Sequence, residues 1–189
     1  MLAWDRVRRA IQLLVGRGRV TAVRDDGAVQ LVQVKLSYAE VRDNTPRVAE
    51  FGFASNPPEG SDAVLVFAAG DRSKGVVVAT GHQGSRPKNL APGESMLYSQ
   101  DGKYIHVTAS GGIVIEAKGQ DVVVNDAGTV TLNAATAVVM NTPLLKVSGD
   151  IQDNFATNTR TVAGMRTVYD AHVHPDPQGG DTGAPTTSM

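Results

Sequence analysis

The chain contains no cysteine among its 189 residues, which excludes disulfides, thiolate metal sites and cysteine nucleophiles. Aromatic residues are scarce, at 5%, so a core built on aromatic burial is not expected. Net charge is nearly absent, at −1, and nothing indicates the basic surface that holds a nucleic-acid backbone. The one cluster of cations, Arg6, Arg8, Arg9, Arg17 and Arg19, reads as well as a solvated helix face as it does as a binding patch. No apolar run is long enough to span a bilayer. Residues 1–15 make a poor secretory signal, because Asp5, Arg6, Arg8, Arg9 and Gln12 interrupt the apolar stretch.

What is present is glycine, 20 residues of it, set among small and β-branched side chains. That composition favours repetitive β-structure. An N-terminal segment, 1–16, stands apart. Leu2, Val7, Ile11, Leu14 and Val15 recur at helical spacing with arginines between them, which predicts a short amphipathic helix ended by Gly16 and Gly18. So short a helix is marginal alone and must dock on something.

Residues 17–82 read as a small antiparallel β-domain. A hairpin is expected around Asp26-Gly27, with Gln30, Val32, Val34 and Leu36 forming the core face of its second strand. A loop rich in Asn, Pro and Gly follows from Asp43 to Gly60. Two apolar strands come next, 61–69 and 75–80, joined by Gly70-Asp71-Arg72-Ser73-Lys74-Gly75. This order of short strands predicts a closed barrel of the OB type. Residues 83–103 read as a linker.

From Tyr104 onward one pattern repeats. Ile105-His106-Val107, Ile113-Val114-Ile115, Val122-Val123-Val124, Val130-Thr131-Leu132, Val138-Val139-Met140 and Leu145-Lys146-Val147 are each followed by turn residues. Each unit is one short strand and one tight turn. A ribbon of such units has one apolar face and long open edges, and is marginal alone. Three ribbons wound around a threefold axis bury those faces together and leave no edge. The expected architecture is therefore all-β: an OB-fold barrel followed by an intertwined trimeric β-helix, a β-prism, over residues 104–170. A single-chain solenoid competes, but it needs longer coils than this period provides.

Residues 171–189 form the expected tip. His172 and His174 are two positions apart, so in a strand both imidazoles project to one side and Val173 to the other. Pro175 and Pro177 then end the strand. On a threefold axis three such pairs supply six nitrogens around one point. That number suits an octahedral first-row ion such as iron or nickel better than zinc, which prefers four ligands. A full coordination sphere leaves no position for substrate, so the site would be structural. Asp170, Asp176 or a backbone carbonyl could accept the second ring N–H of each ligand. His82 and His106 read as solvated surface histidines.

Two segments carry a family resemblance. Residues 50–80, EFGFASNPPEGSDAVLVFAAGDRSKGVVVAT, resemble the OB domain of Mu-type baseplate spike proteins. Residues 172–185, HVHPDPQGGDTGAP, resemble the spike tip of Mu-type and P2-type phages, the baseplate assembly protein V family. The resemblance implies a homotrimeric virion protein at the centre of a contractile tail baseplate, made in the host cytoplasm. It implies one iron per trimer held by His172 and His174 of three chains, and contacts with baseplate hub and tail-tube proteins. It implies that sheath contraction drives the spike through the host outer membrane. No lysozyme-like domain is seen, and no enzyme activity or nucleic-acid partner is expected.

Other classes fit less well. His-x-His also opens the metal site of TIM-barrel amidohydrolases, but this chain is shorter than such a barrel requires. A nucleic-acid-binding OB domain would need a basic groove with several exposed aromatics, and residues 17–82 offer only Tyr38, Phe51, Phe53 and Phe67. A bacteriocin or a type VI-like injection spike would use the same parts.

Overall fold

The computed structural model describes residues 3–189. Leu2, placed above on the apolar helix face, lies outside the described residues, and so do the side chains of Arg6 and Arg9 in the cation cluster. The structure is mostly β. It divides into two compact units, one extending to Asn125 and the other running from Asp126 to Met189.

The first unit opens with helix α1, Ala3–Gln12. Five strands follow: β1 Val15–Arg24, β2 Leu31–Lys35, β3 Val41–Pro46, β4 Asp62–Phe67 and β5 Gly75–Gly81. They form one sheet in the order β3-β2-β1-β4-β5, with antiparallel neighbours throughout. β1 is long enough to pair with β2 through its second half and with β4 through its first. The sheet curls around Val20, Val32, Val34, Ala63, Leu65, Phe67 and Val77, all buried, with Val23 and Leu36 packed against them. Of the alternating set Gln30, Val32, Val34 and Leu36, Val32 and Val34 are buried and Leu36, just past β2, packs against them, whereas Gln30 hydrogen-bonds Asp25, Ser55 and Arg47 instead of joining the core. Between the two edge strands there is no continuous ladder. A single parallel bridge joins Arg47 to Val77, and the Val48 N–H donates to the Val77 carbonyl at 3.1 Å.

Here the structure departs from the pattern expected of the sequence. The helix ends at Gln12, and Val15, Gly16 and Gly18 belong to β1 instead of stopping the helix. The glycines are there for space. A Cβ at Gly16 would meet the Phe67 ring at 2.8 Å, and one at Gly18 would meet the Lys35 carbonyl oxygen at 2.5 Å. β3 runs to Pro46, inside the stretch read as loop. Its irregularity explains the misreading, since Asn44 takes a positive φ of 51° and the ladder with β2 shifts register.

A second sheet completes this unit: β6 Ser95–Tyr98, β7 Tyr104–Val107 and β8 Ile113–Glu116, in sequential antiparallel order. β6 lies within 83–103, read as linker. Four residues give too little periodicity to see, and the strand exists because Leu97 pairs with Ile105, which pairs with Ile115. These three side chains line one face and all are exposed.

In the second unit the repeated apolar triplets from Val130 onward form no ladder within the chain, and neither does Val122-Val123-Val124 just before it. Every residue from 118 to 157 is exposed. The segment 104–170, read as β throughout, ends in helix α2, Val162–Ala171. The repeat has stopped by then. Thr161 caps the helix by accepting the Gly164 N–H at 3.1 Å. No helix among the described residues is long and apolar enough to cross a membrane.

Candidate metal centre at the C-terminus

α2 delivers the histidine pair. His172 is its C-cap, in an extended conformation (φ −74°, ψ 148°). The chain then turns through a small loop closed by a bridge between Pro175 and Asp181. His174 is pinned on both backbone groups: its N–H donates to Thr182 Oγ1 at 2.9 Å and its carbonyl accepts from the Thr182 N–H at 2.8 Å. Inside the loop the Asp176 N–H donates to the Gly180 carbonyl at 2.9 Å. Gly179 and Gly180 sit at φ 87° and 128°, a region other residues rarely adopt. This accounts for the Gly-Gly of the C-terminal motif.

The pair therefore lies between a helix and a tight loop, not in the strand read from its spacing. The bridge, Pro175–Asp181, lies immediately after His174 and beside its hydrogen bonds with Thr182. The rings are neighbours nonetheless, with centroids 5.0 Å apart and planes at 89°. Two imidazoles on adjacent positions of one ion, bonded at about 2.1 Å, would have centroids about 4.5–5 Å apart. The observed spacing fits. Among the described residues no three metal-ligating side chains come together.

The second ring nitrogen of His172 also has its partner. Nδ1 lies 2.5 Å from the Tyr169 carbonyl oxygen. The two candidate carboxylates are engaged elsewhere: Asp170 accepts the Met189 N–H and Asp176 the Gln178 N–H, each at 2.9 Å.

In the first unit the structure adds a network that spacing did not reveal. Arg72, from the Gly-Asp-Arg-Ser turn, donates from Nε and Nη2 to the two oxygens of Glu40 at 3.0 and 2.8 Å. Its guanidinium lies 4.1 Å from the Phe67 ring centroid. Arg42 donates to Glu40 as well. The Arg72 hydrogen bonds, then those of Arg42 against some desolvation, hold the Glu40 carboxyl below its ordinary range. A carboxylate depressed on folding contributes stability above its unfolded pKa and loses it as pH falls through the folded value. Glu40→Gln is thus expected to lower stability by about 1 kcal/mol near neutrality and to weaken acid sensitivity below pH 4.5, checked by urea unfolding across pH. Equal losses at pH 3 and pH 7 would contradict this. No residue 32 positions away could have been named as the partner of Arg72 from spacing alone.

His82 and His106 are not free surface histidines. Both are half-buried. His82 Nδ1 lies 2.8 Å from Ser85 Oγ, a local turn contact. His106 Nε2 lies 3.3 Å from Glu94, whose carboxyl also accepts the Ala91 and Ala109 N–H groups. Those backbone donors are the main reason Glu94 is held below its ordinary range. The misreading arose because the partner sits in the segment taken for linker.

The chain is similar in sequence to known phage proteins. Residues 17–84 match the model of the family described as Bacteriophage Mu Gp45, N-terminal. The baseplate puncturing device gp45 of Escherichia phage Mu is 27% identical over 189 aligned residues, covering 93% of this chain and 90% of that protein. The Mu-like prophage FluMu protein gp45 of Haemophilus influenzae is 35% identical over 112 residues, 59% of this chain and 61% of that one. The first match runs well past the N-terminal sheet into the region of the histidine pair. Residues 17–84 thus resemble the Mu Gp45 N-terminal family, and most of the chain is similar to the baseplate puncturing device of phage Mu.

Proposed function

We propose that this chain is the homotrimeric central spike of a contractile tail, driven into the host outer membrane when the sheath contracts. It is a structural component and not an enzyme. Its place is the virion tail baseplate, in contact with hub and tail-tube proteins. The relative from phage Mu is described as a puncturing device, which favours this reading over a general binding module.

One observation carries the trimer. Val122, Val123, Val124, Val130, Leu132, Val138, Val139, Met140, Leu145 and Val147 are all exposed in the single chain, along with Leu97, Ile105 and Ile115 on the second sheet. A solvated monomer does not expose a stripe of this length. Each unburied Val or Leu forgoes about 1.5–3 kcal/mol. Two further copies provide what one ribbon lacks: cover for the apolar faces and strand partners for the open edges. The triplets then become the rungs of a trimeric β-helix.

The N-terminal unit fits an OB-type barrel. Its strand order, with β3 brought beside β5 by the Arg47–Val77 bridge, is the support for that assignment. At the other end three copies of His172 and His174 would hold one iron, clamping the terminus where the ribbon would otherwise fray.

Light scattering on the purified full chain tests the architecture. A mass of about three chains is expected, unchanged on dilution. A mass of one chain would end the proposal.

A further inference from the structure

The last turn of α2 has a feature that the paired histidines alone do not require. Two parts of Tyr169 meet His172. Its carbonyl oxygen lies 2.5 Å from Nδ1, and its ring centroid lies 5.3 Å from the imidazole centroid. The backbone N–H of His172 also donates to that carbonyl, at 3.3 Å. A carbonyl can only accept, so the hydrogen bond places the proton on Nδ1 and leaves the Nε2 lone pair free. The phenol ring limits the rotation of the imidazole about its side-chain bonds.

We infer that Tyr169 is a positioning residue for the histidine pair: its carbonyl selects the Nδ1–H tautomer of His172, its ring braces the imidazole, and the nitrogen offered to a cation is Nε2. This rests on the metal-tip reading above and goes beyond it by naming the nitrogen and the residue that selects it.

The location suits the role. The C-terminus of a helix carries a partial negative charge of about half an elementary unit on its unpaired carbonyls. Tyr169 O is one of the carbonyls in that last turn, and it faces the ring that would carry the cation. The helix is held at both ends. Thr161 caps its start, and Asp170 accepts the Met189 N–H near its finish. The carbonyl is thus placed by the helix itself. Asp170 and Asp176, the obvious acidic partners, accept backbone N–H groups instead.

The experiment uses the full-length protein, metal-free and then supplied anaerobically with ferrous iron alone. Nitrogen-15 NMR of labelled histidine in the metal-free protein reports the tautomer, and a chelator challenge reports the rate of iron loss. In the unaltered chain His172 is expected as the Nδ1–H tautomer. Tyr169→Ala keeps the backbone carbonyl and removes only the bracing ring, so it is expected to speed iron loss several-fold, less than the roughly 10-fold or greater cost of removing an outer partner of a ligand. Tyr169→Phe keeps the ring as well and is expected to match the unaltered chain. Iron loss from Tyr169→Ala at the unaltered rate would overturn the bracing role. A His172 that is mainly the Nε2–H tautomer would overturn the assigned nitrogen. Failure of the unaltered chain to take up iron would instead refute the metal-tip reading, and the tautomer measurement would still decide the contact with Tyr169. If Tyr169→Ala does not assemble, Tyr169→Leu under the same chelator challenge takes its place.

Discussion

Truncation of Phe67 to alanine is expected to destabilise the N-terminal sheet by about 3–5 kcal/mol, the range for deleting a buried aromatic ring. Phe67 is the largest fully buried side chain of the core. It lies where β1, β4 and β5 converge, between Gly16 and Gly75, at each of which a Cβ would come within 2.8 Å of the ring. It is also the platform for Arg72, so its loss loosens the Glu40 network at the same time. Hydrogen exchange of the β1, β4 and β5 amides measures the effect within this sheet even where the whole chain does not unfold in one step. Protection lost by less than a factor of about 10 would mean that the core is not organised around this ring. A companion change sharpens the test. Gly75→Ala alone should be harmful, because its methyl meets the ring, and should be better tolerated when Phe67 is already alanine.

The second large effect concerns the tip. Metal analysis of the purified protein should find about one ion per three chains. Replacing His172 and His174 together with alanine should abolish it. The shaft should stay trimeric, because the apolar triplets from Val122 to Val147 lie well upstream of the pair. The loss should appear as faster proteolysis after Val147, with the solution mass unchanged. Full metal content in the double variant would show that other residues bind the ion. A double variant reduced to monomers would show instead that the tip, and not the ribbon, holds the chains together.

The comparison of sequence and structure follows the range of the interactions involved. Alternation in β2 pointed to Gln30, Val32, Val34 and Leu36 as the inward face, and the three apolar residues do face the core. The amphipathic helix at the start was visible for the same local reason, though its end was misplaced. Gly16 and Gly18 resemble a helix stop in isolation. They are strand residues whose missing side chains make room for Phe67 and the Lys35 carbonyl, which only folding brings near. The short strand β6 and the irregular β3 escaped notice because each depends on a partner more than on its own pattern.

At the candidate site the division is similar. Residue type and spacing alone singled out His172 and His174 as a pair, since a separation of two places side chains close together in any extended backbone. The ring separation, the helix that presents the pair and the choice of Tyr169 O over Asp170 or Asp176 as acceptor were decided by the tertiary structure. α2 and the Pro175–Asp181 loop place those groups by backbone hydrogen bonds, and such bonds leave no trace in residue type. What the sequence determined by itself was composition and periodicity: a cysteine-free β-protein with a repeat too thin to bury its own apolar face. What only the fold could decide was which distant groups meet, because a contact such as Arg72 with Glu40 depends on how the chain returns on itself and not on either residue's neighbours.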